Sequence, residues 1–112
     1  MVLLLGRIRL ANVWENIVPA YLIVDNEITD PKVYDEYRRQ VVPLLARFAG
    51  RFLVRGGAIS HLEGDWKPRR LVIIEFPTMD ALQAFYHSPE YAPMRALRQS
   101  ASTGSVVVAG GV

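Results

Sequence analysis

The chain has no cysteine among its 112 residues. This absence excludes disulfide bonds, thiolate metal sites and cysteine nucleophiles. It is typical of a reducing compartment, so we expect a cytoplasmic protein. The apolar run at residues 2–5 is too short to span a bilayer, and it has neither the charged start nor the small-residue cleavage pattern of a signal peptide. No membrane association is therefore expected.

Neither sign of charge dominates the chain. The 13 Lys and Arg residues nearly cancel the 11 Asp and Glu residues, which leaves a formal charge of +2. Acidic and basic residues are intermixed, so no basic stripe could follow a phosphate backbone. RNA-binding modules of ferredoxin-like fold carry aromatic side chains on the central strands, whereas the strand-like runs here are aliphatic. We expect no nucleic-acid partner.

The sequence also lacks motifs for cofactors and metals. It has no glycine-rich phosphate loop ending in Lys-Ser or Lys-Thr and no dinucleotide fingerprint, and the pair Gly56-Gly57 is too short to stand for either. Two distant histidines, His61 and His87, do not make a zinc site without cysteine. We therefore predict no cofactor and no metal.

The strongest positive signal is the run Leu71–Phe76, which is apolar on both faces of a strand. Alternation places Leu71, Ile73 and Glu75 on one face, and the residues between them on the other. A strand buried on both faces needs two covering layers, and the helices of this chain suffice for one. We expect the second layer to be another copy of the protein, because a monomer rarely exposes so large an apolar patch.

Alternating and helical patterns define the order of elements. Strands are predicted at 20–28, 52–55, 71–76 and 105–109, with an extended continuation at 58–63 after a bulge at Gly56-Gly57. A helix is predicted from Asp30-Pro31 to Gly50, with a kink or break at Pro43. Further helices are expected after Thr78 and Ser88. The order predicts an α+β, ferredoxin-like βαββαβ domain, with four antiparallel strands and helices on one face.

Residues 1–18 do not belong to this pattern. The domain proper is predicted at 19–112, and the residues before it are interpreted as an amino-terminal extension. It could be an extra strand near 2–10, a swapped arm, or a segment that docks a partner.

Three sequence blocks resemble a known family. They are FLVRGG at 52–57, WKPRRLVIIEFP at 66–77 and YHSPEY at 86–91. The chain from about Ala20 onward is similar to the bacterial family of domain of unknown function thirteen-thirty, in the dimeric α/β-barrel superfamily. The resemblance implies the fold and a homodimer formed through the sheet face. It implies no activity, although relatives in the superfamily include cofactor-free monooxygenases and lactone isomerases.

Two residues are the candidates for catalysis. Glu75 is a carboxylate in an apolar strand, which suggests a general base in a pocket between sheet and helices, or else a salt bridge to Arg55 or Arg70. His87 lies between two helical segments and could carry a proton near neutral pH, or it could simply cap a helix.

Other polar residues are candidates for binding a ligand. Arg55 beside Gly56-Gly57 could clamp a carboxylate or phenolate, and Arg70 could contribute a second guanidinium. Tyr21 and Tyr86 could line an aromatic pocket, although tyrosines at such spacing are more often core.

These residues favour a small dimer that binds a small organic molecule, with a cofactor-free oxidoreductase or isomerase as the expected type of enzyme. The alternative is a non-catalytic binding or structural protein. The sequence does not identify a substrate.

Overall fold

The computed structural model describes the backbone of residues 7–10, 13–16 and 18–112, and side chains from residue 18 onward. Strands β1 (Arg7–Leu10) and β2 (Val13–Asn16) pair antiparallel as a two-stranded sheet. The strand expected near residues 2–10 lies partly outside the described residues.

The main sheet has four antiparallel strands in the order β4-β5-β3-β6. The strands are β3 (Ala20–Ile28), β4 (Arg51–Arg55), β5 (Leu71–Phe76) and β6 (Ser102–Gly110). The helices are α1 (Pro31–Arg47), α2 (Met79–Tyr86) and α3 (Tyr91–Ala101). The predicted α+β, ferredoxin-like fold is confirmed. In the part of the chain that the structure describes, no helix is long and apolar enough to cross a membrane.

Alternation along the central strands separates two faces, as predicted. Val72, Ile74 and Phe76 of β5 are buried under the helices, and Leu22 and Val24 of β3 lie beside them. The opposite surface, which we call the helix-free face, consists of half-buried and exposed residues. Its members on the three strands β3, β5 and β6 are Tyr21, Ile23, Asp25, Leu71, Ile73, Glu75, Ser105, Val107 and Ala109.

Helix α1 begins as predicted and differs in its interior. The Asp30 side chain accepts a hydrogen bond from the backbone N–H of Val33 at 3.2 Å, and Pro31 occupies the first turn. Of the kink or break expected at Pro43, the break is wrong, because the helix continues to Arg47, and the kink stays a prediction. Pro43 lies on the exposed side, so its missing N–H costs no buried hydrogen bond, and Val41 and Leu44 pack into the core on either side of it.

The segment after β4 also differs from the prediction. Residues 58–63 form no strand, and Ile59 and Leu62 are 40% and 89% exposed because no neighbouring strand covers them. The register shift of β4 lies between Phe52 and Val54 rather than at Gly56-Gly57. This long loop is held to the sheet by Asp25, whose carboxylate accepts from Trp66 Nε1 at 2.8 Å and from the backbone N–H of Arg69 at 3.1 Å.

The capping signal before α2 is confirmed, whereas α3 begins at Tyr91 with Glu90 as its N-cap, two residues after the predicted cap Ser88. Thr78 Oγ1 accepts from the backbone N–H of Ala81 at 3.1 Å and begins α2. Ser88 Oγ accepts from the backbone N–H of Tyr91 at 3.1 Å and donates to the carbonyl of Phe85 at 2.8 Å. The buried Ser88 therefore joins the end of α2 to the start of α3.

Candidate ligand-binding site

A small cavity of about 40 Å³ lies between the sheet and the helices. Most of its wall is apolar and comes from the core faces of the strands and from α1. The polar part of the lining consists of four tyrosines and four arginines: Tyr34, Tyr37, Tyr86, Tyr91, Arg38, Arg55, Arg70 and Arg98. Among the residues described, no Asp, Glu or His lines the cavity. Its volume suffices for water, and a larger guest needs side chains to move.

One polar cluster joins α1 to α3 inside the core. The hydroxyls of Tyr37 and Tyr91 lie 3.0 Å apart and share a hydrogen bond. Arg98 Nε donates to the Tyr91 hydroxyl at 3.3 Å. Arg98 is only 7% exposed, which is unusual for a guanidinium group. A positive charge therefore lies inside the protein, beside two phenols.

A second polar cluster lies on the side of the cavity that the sheet forms. Asn26, which is buried, donates from Nδ2 to the Tyr34 hydroxyl at 3.0 Å. Arg70 Nη1 donates weakly to the same hydroxyl and to Asn26 Oδ1, both at 3.4 Å. This network fixes the Arg70 guanidinium near the Tyr34 ring, 5.5 Å from its centroid.

Burial shapes the protonation of the first cluster. Loss of solvent, and then the neighbouring Tyr91, raise the pKa of Tyr37 well above its ordinary value, so this phenol stays neutral. Burial lowers the pKa of Arg98, but the neighbouring Tyr91, Tyr37 and Tyr86 together outweigh it and the net pKa is raised. Arg98 therefore stays charged and Tyr37 stays neutral over the physiological pH range.

Three of the residues singled out from the sequence line the cavity. Arg55 reaches it from the end of β4, with its guanidinium 4.2 Å from the centroid of the Phe52 ring. Arg70 is held in the second cluster, and Tyr86 lies at the end of α2. The structure therefore brings Arg55, Arg70 and Tyr86 to one site.

Glu75 and Tyr21 lie elsewhere, on the helix-free face. Tyr21 donates its hydroxyl to Glu75 Oε2 at 3.2 Å, and Arg51 Nε donates to Glu75 Oε1 at 2.8 Å. Burial and this carboxylate raise the pKa of Tyr21. The expected salt bridge to Arg55 or Arg70 is wrong, because Arg51 lies directly opposite Glu75 in the β4–β5 register, whereas Arg55 lies opposite Val72 and faces the cavity.

His87 ends α2 and is exposed outside the cavity. Its backbone N–H donates to the carbonyl of Gln83 at 3.0 Å, and its ring meets the Tyr86 ring edge-on at a centroid distance of 5.4 Å. The contacts match the helix cap that the sequence left open as an alternative. Neither Glu75 nor His87 lines the cavity, and Glu75 lies on the helix-free face, so the two catalytic candidates are brought neither to each other nor to the cavity.

Sequence analysis missed Arg98, the buried charge at the centre of the site. The spacing of Tyr91, Arg98 and Ala101 places all three on the buried stripe of α3. The position of Arg98 on this buried stripe is the sequence feature that could have identified it. Arginine is rarely fully buried, so an arginine on such a stripe is not an obvious candidate for an internal site.

The fold and the cavity define an α+β protein of ferredoxin-like fold with an internal, mainly apolar site. Residues 19–112 match the family of domain of unknown function DUF1330, and the chain belongs to that family. Comparison with curated proteins gave no match.

Solved structures support the same fold. RPA0582 of Rhodopseudomonas palustris, a protein of unknown function, is 19% identical with a TM-score of 0.69, over 87% of this chain and 85% of that one. SnoaB of Streptomyces nogalater, a cofactor-independent oxygenase, is 16% identical with a TM-score of 0.55, over 83% and 91% of the two chains. At these identities the likeness concerns the fold alone.

Proposed function

We propose that this protein binds a small organic molecule in the cavity between the sheet and the helices. The observation that carries the proposal is the convergence of Tyr37, Tyr91 and Arg98 on a mainly apolar cavity. A few polar groups set in an apolar wall are typical of ligand sites. A core that only needed filling would be better served by aliphatic side chains, because a buried guanidinium loses its hydration.

We also propose that the protein forms a homodimer through the helix-free face. Ile23, Ile73 and Val107 lie side by side at its centre in the strand register, and Val107 is 56% exposed in the single chain. Polar groups stand at the two ends, Glu75 with Arg51 at one and Asp25 with Trp66 at the other. An apolar centre with a polar rim is the arrangement of protein interfaces.

Binding without catalysis is the better supported form of this function. Neither Glu75 nor His87 faces the cavity, and the phenol of Tyr37 holds its proton, so the described lining offers no ready general base. A cofactor-free oxidoreductase or isomerase is the second candidate, and SnoaB has a comparable fold with that type of activity. In that case Glu75 or His87 would have to act outside the cavity. The absence of cysteine favours a cytoplasmic location for either form.

A thermal-shift screen with aromatic acids, lactones and quinols tests the binding proposal. Val41 and Val42 give a matched pair, since Val41 is buried and lines the cavity whereas its neighbour Val42 is 40% exposed. Val41→Leu adds a methylene group to a space of about 40 Å³ and should reduce the ligand-induced shift. Val42→Leu should leave that shift unchanged. A full panel without any shift would favour a structural protein with a filled core.

A further inference from the structure

The cavity carries an excess of positive charge. Four arginines line it, and no carboxylate within residues 18–112 does. Within residues 18–112, Arg38 is the one among them with an acidic partner, Asp35, at 2.5 Å on the outer side of α1. Arg55 stacks on Phe52, and the Arg70 guanidinium donates to the neutral Asn26 and Tyr34.

Arg98 is the most buried of the four. Its Nε uses one of five guanidinium N–H donors on the Tyr91 hydroxyl, and no carboxylate within residues 18–112 forms a salt bridge with it. Buried charges in proteins are normally paired with an opposite charge, because a neutral hydroxyl does not replace the lost hydration. Arg98 is thus a largely buried cation without a carboxylate partner within residues 18–112.

Arg98 can also be reached from outside. It lines both the cavity and an adjoining open depression of about 510 Å³ at the junction of α3 and β6, and Tyr86, Val24 and Val106 line both as well. The depression is polar, with Asn26, Gln99 and Ser102 in its wall. An acid could therefore enter through it, with its charge meeting Arg98 before its apolar part reaches the cavity.

We propose that the ligand of this protein is a small organic acid, whose carboxylate binds the guanidinium of Arg98 and whose apolar part lies in the cavity. This inference rests on the binding function proposed above and specifies its ligand class. A carboxylate matches the planar donors of arginine and can accept two parallel hydrogen bonds from them. The Tyr91 hydroxyl, already bonded to Nε, holds the guanidinium in place for that contact.

The opposing interpretation is that Arg98 is a structural strut between α1 and α3. A strut would hold Tyr91 and Tyr37 in place and would not distinguish an acid from a neutral compound of the same shape. The two interpretations therefore differ in ligand preference, and stability alone does not separate them.

The test compares benzoate with benzamide, and cyclohexanecarboxylate with its amide, by calorimetric titration of the unmodified protein at low salt. We expect each acid to bind at least about tenfold more tightly than its amide, the scale of one charge-assisted contact. Arg98→Gln should remove this preference, and Arg98→Lys should restore part of it. Arg39→Gln is the control, because Arg39 is an exposed residue of α1 that pairs with Glu36 outside the cavity.

The comparison within the unmodified protein needs no variant and stands even if Arg98→Gln does not fold. Equal affinities for acid and amide, or a preference that persists in Arg98→Gln, would overturn the inference while leaving the binding function intact. If neither these probes nor the neutral lactones and quinols bind, the inference and the binding function both fail.

Discussion

The buried phenol of Tyr37 gives the most quantitative prediction from this structure. Its side chain is 9% exposed, and its hydroxyl shares a hydrogen bond with Tyr91 at 3.0 Å. Tyr37→Phe removes that bond and keeps the ring. At pH 8 the variant should be less stable than the unmodified protein by about 1 kcal/mol, the net value of one such bond.

At alkaline pH the Tyr37→Phe variant should become more stable than the unmodified protein. The folded-state pKa of Tyr37 is raised by burial and by Tyr91, so the proton is held more tightly in the folded than in the unfolded chain. The contribution of this phenol to the free energy of unfolding is fully present below its unfolded-state pKa of about 10, and it is lost as the pH rises above that value. The loss approaches about 1.4 kcal/mol per pH unit, so it should cancel the 1 kcal/mol advantage near about pH 10.7.

Urea unfolding followed by circular dichroism from pH 8 to pH 11.5 measures this effect. Both proteins are compared at one concentration, because self-association would make stability depend on concentration. Other titrating groups are common to both chains and cancel in the difference. A difference that stays constant through pH 11.5 would contradict a raised pKa of Tyr37, since the phenol would then ionise as easily in the folded as in the unfolded state.

Three further substitutions test the fold and the dimer. At Gly104, where φ is +151°, an added Cβ would lie 2.0 Å from the Asp25 carbonyl oxygen. Gly104→Ala should therefore lower the free energy of unfolding in urea by about 3 kcal/mol or more. Gly57→Ala is the control, because its added Cβ would meet open space, and it should change the free energy of unfolding by less than about 0.5 kcal/mol. Asp30→Ala should cost about 1 kcal/mol in the same assay, because α1 loses its cap, and an unchanged value would show that the cap contributes nothing. Ile73→Asp should convert a dimer into a monomer in sedimentation velocity, while the exposed-loop variant Ile59→Asp stays dimeric; a monomeric unmodified protein would refute the proposed interface.

Local sequence signals account for most of the fold. The alternation in Leu71–Phe76 predicts which residues share a face of the strand, and the alternating burial along β5 confirms that division. Capping residues such as Asp30 and Thr78 predict helix starts because their oxygens satisfy free backbone N–H groups locally. These features depend on a few neighbouring residues, so the sequence contains them directly.

The errors arise where tertiary packing decides the outcome. An apolar segment at 58–63 fits a strand by composition, but no neighbouring strand pairs with it. Pro43 is tolerated in α1 because packing on both sides holds the helix, which no local rule for proline includes.

The candidate site could be predicted only in part. Arg55, Arg70 and Tyr86 line the cavity. Arg55 was a candidate because a guanidinium beside Gly56-Gly57 could clamp an anion, and Tyr86 because a tyrosine could line an aromatic pocket. Glu75 was assigned to the wrong side of the sheet because both faces of β5 are apolar. Alternation shows which residues share a face, but it does not show which face the helices cover. Arg98 was missed because its burial depends on the phenols of Tyr37 and Tyr91, which come from two helices far apart in sequence.

Nuclear magnetic resonance of the protein titrated with benzoate shows whether an acid binds at Arg98. We expect a saturable shift of the Arg98 Nε–H resonance, together with shifts of backbone amides around the cavity, such as those of Tyr34 and Val72. Benzamide at the same concentration should shift these signals far less. Benzoate-induced shifts confined to the exposed loop at 58–63 or to the helix-free face, with the Arg98 signal unmoved, would contradict an acid-binding site between the sheet and the helices.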